Sequence, residues 1–499
     1  MVDMTSYLLK LVSGRSNLML ISPTTSKRRR QTLLDLPLRL DPARGSQSLQ
    51  VHASLRSAIL EGRLTAGLRL PSSRDLARQF RVRRNVVVAA YEHLLSDGLV
   101  EARIGAGTYV AAELPPRARP AKAVSLASVA SPAARGPFAL GRTYVAPDLL
   151  QRLGIAVRRQ ISAGAGIDRG YADPRGSEAL REQIALHLAA TRGIRCDPAC
   201  IVILGSTQQA LRLCAEALLE PGDAVWFEDP GYPFSRQALE AARVKIVPVP
   251  VDSQGLDVPH ALRQRPSAKA VYITPSHQFP LGVTMSMPRR VALLDWARAS
   301  QGWIFEDDYD SEFRYAGPPL TALAGIDGHD RVIYLGTFSK MMFSSLRLSF
   351  AVLPSSILTE VTKARLAYDR FPPSFVETAV ADLMSDGFLS AHARRMRARY
   401  RAARDVVTQT IAEASHGILQ VQSPEQGMHM VAHLPERTTA ETAGSIRAAA
   451  NVESRLLSEM RMTKAKGDGF VLGFAGHDIG ALETAARRLG RAARDHFKA

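Results

Sequence analysis

Thr337-Phe338-Ser339-Lys340 follows the apolar run Val332 to Leu335, and Arg347 stands seven residues beyond the lysine. Upstream, Glu306-Asp307-Asp308-Tyr309 closes the apolar run Trp303-Ile304-Phe305, and Gly205-Ser206-Thr207-Gln208-Gln209 joins a strand-like run to a helical one. Pyridoxal phosphate needs this inventory. A lysine must take its aldehyde as a Schiff base, and a carboxylate must keep the pyridine nitrogen protonated so that the ring draws in electrons. A helix N-terminus with hydroxyls and an arginine must hold the phosphate. An aromatic ring should stack on the cofactor. Each piece alone has a plainer reading. Lysines are seldom buried, an Asp-Asp pair often caps a turn, and Gly-Ser-Thr before a helix is an ordinary N-cap. The ordered set is more specific than its parts.

The elements that must position these residues are legible in outline. With 499 residues, 46% hydrophobic and 22% charged, the chain is of ordinary globular composition and long enough for two or more domains. No run of about 18 apolar residues implies a membrane span, and no signal-peptide pattern opens the chain. Three cysteines, Cys196, Cys200 and Cys214, make no disulfide framework, so a reducing cytoplasmic setting is expected. Cys196 and Cys200 lack a second ligand pair nearby, so no metal site is expected there. From Phe138 onward, apolar runs such as Ile201–Leu204, Ala224–Phe227 and Ala270–Ile273 alternate with helical stretches, which implies an α/β domain with a mostly parallel sheet. From about residue 375 the pattern turns helical and Arg-rich, with residues 394–404 read as a solvated helix face, and then returns to short strands. His429 reads as a packed residue of that region.

The charge is uneven. The formal net is +17; residues 1–137 hold 21 Lys+Arg against 9 Asp+Glu, and residues 138–499 hold 43 against 38. A basic end on a more neutral body points to nucleic acid. Four regions are expected: a basic extension (1–47) containing Lys27-Arg28-Arg29-Arg30, a compact unit (48–111), a Pro/Ala/Ser-rich linker (112–137) and the large unit (138–499).

In the compact unit, Leu49, His52, Leu55, Ile59 and Leu60 recur at helical spacing, and Gly62 can end that helix. Ser72 can cap a second helix with Asp75 three residues on. A third begins at Arg83-Arg84-Asn85 and ends near Gly98. Leu99 to Ala111 reads as two strands around a Gly105-Ala106-Gly107 turn. This order is a winged helix-turn-helix, whose recognition helix enters the major groove N-terminus first. Arg84 and Asn85 sit at that start, where a guanidinium can pair with guanine and an amide with adenine. Arg74 and Arg83 are expected on phosphates, and Gly105 and Gly107 let the wing's backbone approach the DNA.

The segment resembles the GntR class of bacterial regulators in its LPSSRDLA stretch (70–77), its helix start (82–87) and its wing (105–110). Arg83 and Val86 depart from the small hydroxyl residues of that pattern, so the base preference is expected to be unusual. The large unit resembles fold type I aminotransferases over essentially all of 138–499. The resemblance is carried by GYADPRG (170–176), GSTQQA (205–210), EDPGYP (228–233), TPSHQFPLG (274–282), EDDYDSEFRY (306–315) and GTFSKMMFSSLR (336–347), with GMHM (427–430) and VLGFAG (471–476) matching the ends of the smaller α+β C-terminal subdomain. Head and body together resemble MocR-type regulators. By that resemblance Lys340 forms the Schiff base, Asp307 pairs with the pyridine nitrogen, Tyr309 bonds the phenolic oxygen and Tyr232 stacks on the ring. Thr207, Gln208, Thr337 and Arg347 hold the phosphate, with Ser206 adding a backbone contact. Tyr171 resembles the tyrosine that reaches the phosphate of the neighbouring subunit, which implies a homodimer.

Two departures separate the chain from free-standing aminotransferases. Phe279, preceded by His277 and Gln278, stands where those enzymes place an asparagine on the phenolic oxygen, and Leu281 replaces the usual threonine. The arginine that clamps a substrate carboxylate is not legible; Arg455 and Arg461 are candidates, with Glu459 between them. Three functions remain open at this point. The first is a cytoplasmic regulator that binds operator DNA and senses pyridoxal phosphate, or an amine or amino acid reacting with it. The second is a working aminotransferase with an accessory DNA-binding head. The third is a DNA-binding protein with a cofactor-free scaffold.

Overall fold

The computed structural model describes Leu34, Leu40, Asp41 and residues 45–114, 135–162, 170–328, 330–371, 373–464 and 467–498. The Lys27–Arg30 run and most of the expected linker lie outside the described residues. The chain divides into two compact units, Met1–Ser131 and Pro132–Ala499.

In the first unit, helices α1 (Gln47–Leu60), α2 (Ser73–Phe80) and α3 (Arg84–Ser96) precede the antiparallel strands β1 (Val100–Arg103) and β2 (Gly107–Val110). Ser72 caps α2 by accepting from the Asp75 amide at 3.2 Å. Tyr91 of α3 donates its hydroxyl to Pro71 O at 2.8 Å, which ties the recognition helix to the start of α2. The apolar face of α1 differs from the expected one. Val51, Leu55, Ala58 and Ile59 are buried, whereas Leu49 is 52% exposed. Helical spacing alone left the phase of that stripe open by about one residue. The wing also has a third rung that the sequence did not show: Leu70 N donates to Thr108 O, and Val110 N to Leu68 O.

The second unit is built on eight strands: β3 (Ile201–Leu204), β4 (Ala224–Asp229), β5 (Lys245–Asp252), β6 (Gly255–Leu256), β7 (Ala270–Ile273), β8 (Trp303–Asp308), β9 (Val332–Thr337) and β10 (Ser349–Val352). Their order is β3-β10-β9-β8-β7-β4-β5-β6. The run from β9 through β5 is parallel, β10 is antiparallel to both its neighbours, and β6 is antiparallel to β5. Strands buried on both faces read as unbroken apolar runs, which is why they were legible. Helices α4 (Pro147–Ser162), α5 (Glu178–Thr191), α6 (Thr207–Leu218) and α7 (Pro233–Ala241) belong to this unit. Because the central strands are parallel, their C-terminal ends share one edge, where open α/β sheets bind ligands.

A smaller antiparallel sheet follows, in the order β11 (Gln420–Val421), β12 (His429–His433), β14 (Gly469–Gly473), β13 (Arg455–Leu456). The helices Phe388–Ser415 and Ile479–Lys498 accompany it. The Arg-rich stretch is not a freely solvated face. Arg397 donates to Glu312 O at 2.7 Å, Arg404 to Pro424 O at 2.8 Å, and Arg401 to Tyr315 O. Long guanidinium side chains reach carbonyls on neighbouring segments that no sequence pattern announces.

Candidate functional site

The strand ends bring most of the expected cofactor residues together. Asp307 lies at the end of β8, 5% exposed. Its Oδ2 accepts from the Tyr272 hydroxyl at 2.7 Å, and its Oδ1 is buried without a hydrogen-bond partner. Burial pushes the carboxyl up to about 7. A protonated ring nitrogen would supply both the missing donor and the missing positive charge, so Asp307 fits a pyridinium. Tyr232 stands after β4, with its ring edge-on to Phe279 at 5.2 Å. Burial, then the charge of Asp307, pushes its hydroxyl up to about 12, while Arg347 opposes them.

Lys340 sits in the short helix Phe338–Met341 that follows β9, with Nζ 3.5 Å from Gly141 O. Burial lowers its pKa, against the opposing charges of Asp310 and Asp307. Lowering makes more of the neutral amine available to an aldehyde. Gly141 was not among the expected residues; the segment that carries it is anchored by the Phe138–Gly473 bridge.

The residues expected at the phosphate lie at the ends of β3 and β9 and just ahead of β10. Ser206 caps α6, its side chain accepting from Gln209 N at 3.1 Å, so Thr207 and Gln208 open the helix with their amides at its positive end. Ser349 of β10 pairs with both Leu204 and Thr337, which brings Arg347 beside Gly205. The Thr337 hydroxyl accepts from Ser339 N at 3.1 Å and lies 2.8 Å from Ser349 Oγ, so it caps the short helix. Gln209, passed over in the sequence, accepts from Gly205 N at 2.8 Å and fixes that loop.

Tyr309 is engaged within the protein, and Tyr171 lies on the surface of its own chain. Tyr309 donates its hydroxyl to His277 O at 2.9 Å. Tyr171 is 79% exposed, edge-on to Phe371 and under the Arg370 guanidinium at 4.3 Å; it does not complete the site within its own chain. The carboxylate-clamp candidates are committed elsewhere: Arg455 lies 3.7 Å from Glu459, and Arg461 donates to Gly467 O at 2.7 Å. Tyr272 was also missed, because in the run Ala270–Ile273 a tyrosine reads as core.

His277, Asp310 and His429 form a buried group, each offering one donor atom within 4.8 Å of the others. Their contacts are hydrogen bonds: His277 Nδ1 to Asp310 Oδ2 at 3.0 Å, and His429 Nε2 to Pro280 O at 3.1 Å.

In the first unit, Arg83 is the N-cap residue of α3, and Arg84 and Asn85 follow in its first turn; Arg74 lies in α2. All four are exposed. Arg84 reaches Ser73 Oγ at 3.3 Å. Gly105 and Gly107 both take positive φ, +74 and +111, as the wing turn requires. Arg69 and Arg103 join this basic surface without having been expected there: Arg69 would meet a Cβ on Gly107 at 3.2 Å, and Arg103 stacks over Tyr109 at 4.5 Å.

The geometry of both units agrees with the comparisons. Residues 150–489 match the aminotransferase class I and II family, and residues 47–110 match the gntR family of bacterial regulatory proteins. The probable rhizopine catabolism regulatory protein MocR of Rhizobium meliloti is 33% identical over 86% of this chain and 90% of its own length. The pyridoxine biosynthesis transcriptional regulator PdxR of Corynebacterium glutamicum is 30% identical over 90% and 97%. Among solved structures, the multiple substrate aminotransferase of Thermococcus profundus aligns with a TM-score of 0.66 at 25% identity, over 73% of this chain and 93% of that one. A gntR-type head on an aminotransferase-fold body defines a class of regulator. The chain belongs to that MocR-type family of DNA-binding transcription regulators, and its large domain is of the pyridoxal-phosphate-binding kind. No described helix is long and apolar enough to cross a membrane.

Proposed function

We propose that this regulator binds operator DNA as a cytoplasmic homodimer and is switched by an amine or amino acid, or by pyridoxal phosphate itself, at Lys340. The observation that carries the reading is the unpartnered Asp307 Oδ1, a buried acceptor aimed at nothing in the protein, in the same site as Lys340 and on the same chain as an exposed recognition helix. Pyridoxal phosphate, when bound, supplies an aldehyde for amines and a ring that withdraws electrons. In this reading Asp307 holds the ring nitrogen and Tyr232 covers the ring. The α6 amides at Thr207 and Gln208, with Ser206, Thr337 and Arg347, hold the phosphate, and Lys340 anchors the aldehyde carbon. Tyr309 would leave His277 O to bond the phenolic oxygen. Tyr171, exposed on its own chain, would reach the partner's phosphate. A ligand can switch such a protein only by preferring one of its conformations.

The DNA arm of the reading is tested by Arg84→Ala. A bidentate guanine contact is worth about 1–3 kcal/mol. Specific operator binding should therefore weaken at least several-fold in a gel-shift titration, with cofactor absorption unchanged. Undiminished specific binding would displace Arg84 from the base-reading role. A second reading, a working aminotransferase with a DNA-binding head, is favoured by the presence of both Lys340 and Asp307. Turnover of a keto acid with an amino donor, lost in Lys340→Ala, would establish it.

A further inference from the structure

An apolar wall stands beside Lys340. Val431 and Val471 are partners in register on β12 and β14, and they form one buried cluster with Leu457 and Met460 of the turn after β13. Leu140, Phe279 and Leu281 pack on that cluster and are themselves half-buried, so the surface of the wall is theirs. Two of these residues fix its place. Leu140 precedes Gly141, whose carbonyl lies 3.5 Å from Lys340 Nζ; a Cβ on Gly141 would lie 3.4 Å from the same nitrogen. Phe279 stands edge-on to Tyr232 at 5.2 Å and to Tyr309 at 6.2 Å.

The segments of the wall are tied down. Gly231 N, next to Tyr232, donates to Met460 O at 3.3 Å, and Asp229 accepts from Met462 N at 2.8 Å. His429 of β12 donates from Nε2 to Pro280 O at 3.1 Å, which holds the loop of Phe279. Gly427, in the turn before β12, leaves room for His277 that a Cβ would take.

The charges around the wall do not suit a carboxylate. Asp307 and Asp310 are buried, at 5% and 1% exposed. His429 is driven down to about 3 by burial and by His277, so it is neutral. Arg455 is in register with Val471, which puts it on the same face of the sheet, but it is 61% exposed and lies 3.7 Å from Glu459. Arg461 donates to Gly467 O at 2.7 Å, and the stem of Arg142 packs against Gly476. A carboxylate taken from water needs a paired cation, whereas an alkyl tail gains by burial.

We propose that the site takes primary amines with an apolar tail and no carboxylate, and that Leu140, Phe279 and Leu281 set this selectivity. The inference deepens the proposed function and rests on Lys340 being the lysine to which the amine is brought. The amino group meets Lys340 while the tail lies along the wall.

The test uses conjugates in which an amine is joined to the cofactor by a reduced C–N bond, so that binding alone is read. Cofactor-free regulator is titrated by calorimetry with phosphopyridoxyl-isopentylamine, with phosphopyridoxyl-leucine, which adds only the α-carboxylate, and with phosphopyridoxyl-methylamine, which lacks the tail. The isopentylamine conjugate should bind at least about tenfold more tightly than either of the others. Phe279→Ala should remove most of its advantage over the methylamine conjugate. Leu281→Arg, which puts a cation at a half-buried position, should shift the preference toward the leucine conjugate. A leucine conjugate that binds wild type as tightly as the isopentylamine one would overturn the proposal, and loss of that binding in Arg142→Gln or Arg455→Gln would name the carboxylate clamp. Equal affinity for the isopentylamine and methylamine conjugates would also overturn it, while leaving the cofactor reading standing. Failure of all three to bind would refute the cofactor reading, and the inference with it.

Discussion

At Asp307 one carboxylate oxygen accepts a hydrogen bond from the Tyr272 hydroxyl and the other has no donor. A buried acceptor left in this state costs about 1–3 kcal/mol, and a cationic ring nitrogen would recover it. The residues that were legible in the sequence are those whose type is costly anywhere else, such as Lys340 and Asp307. The residues that were missed contribute through position. Tyr272 reads as strand core, Gly141 offers a carbonyl, and Gly427 offers the absence of a side chain. Gly427→Ala tests that last point. Its Cβ would displace His277, so the variant should lose thermal stability and bind pyridoxal phosphate several-fold more weakly. Wild-type affinity and melting temperature would show that the turn yields without cost.

Among the elements, a buried ion pair that the sequence did not reveal ties the end of β8 to neighbouring segments. Arg192, just past α5, lies 2.7 Å from Asp308 and donates to Ser276 Oγ at 2.6 Å and Leu320 O at 2.5 Å. It thereby joins the end of β8 to the loop that carries His277. Removing one partner of a buried pair typically costs about 3–5 kcal/mol, because the other is left uncompensated. Arg192→Met should lower the melting temperature by several degrees and weaken cofactor binding in parallel. A stable Arg192→Met protein with normal affinity would mean that the loop is positioned by other contacts. Strands β3, β4, β7, β8 and β9 were readable because they are buried and apolar along most of their length, whereas β5, with its alternating exposure, was not. The anchoring arginines at 397, 401 and 404 were not, because charge in a helix reads as solvent exposure until the facing carbonyls are seen.

At the scale of the whole molecule, the excess of basic residues in 1–137 and the nearly balanced remainder match a division of labour. The first unit, of the gntR family, exposes Arg74, Arg83, Arg84 and Asn85; the second carries Asp307 and Lys340 at or just beyond the ends of parallel strands, with Arg347 ahead of β10. That order of units was legible because each carries several motifs in sequence. The proposed homodimer rests in the sequence on Tyr171 alone, which is exposed on its own chain. Absorption spectroscopy decides whether the large unit is a working cofactor site. Wild type and Lys340→Ala are incubated with pyridoxal phosphate and freed of excess. Wild type should show a visible Schiff-base band that is absent from the variant and shifts when a suitable amine is added. No band in wild type, or an equal band in Lys340→Ala, would contradict it.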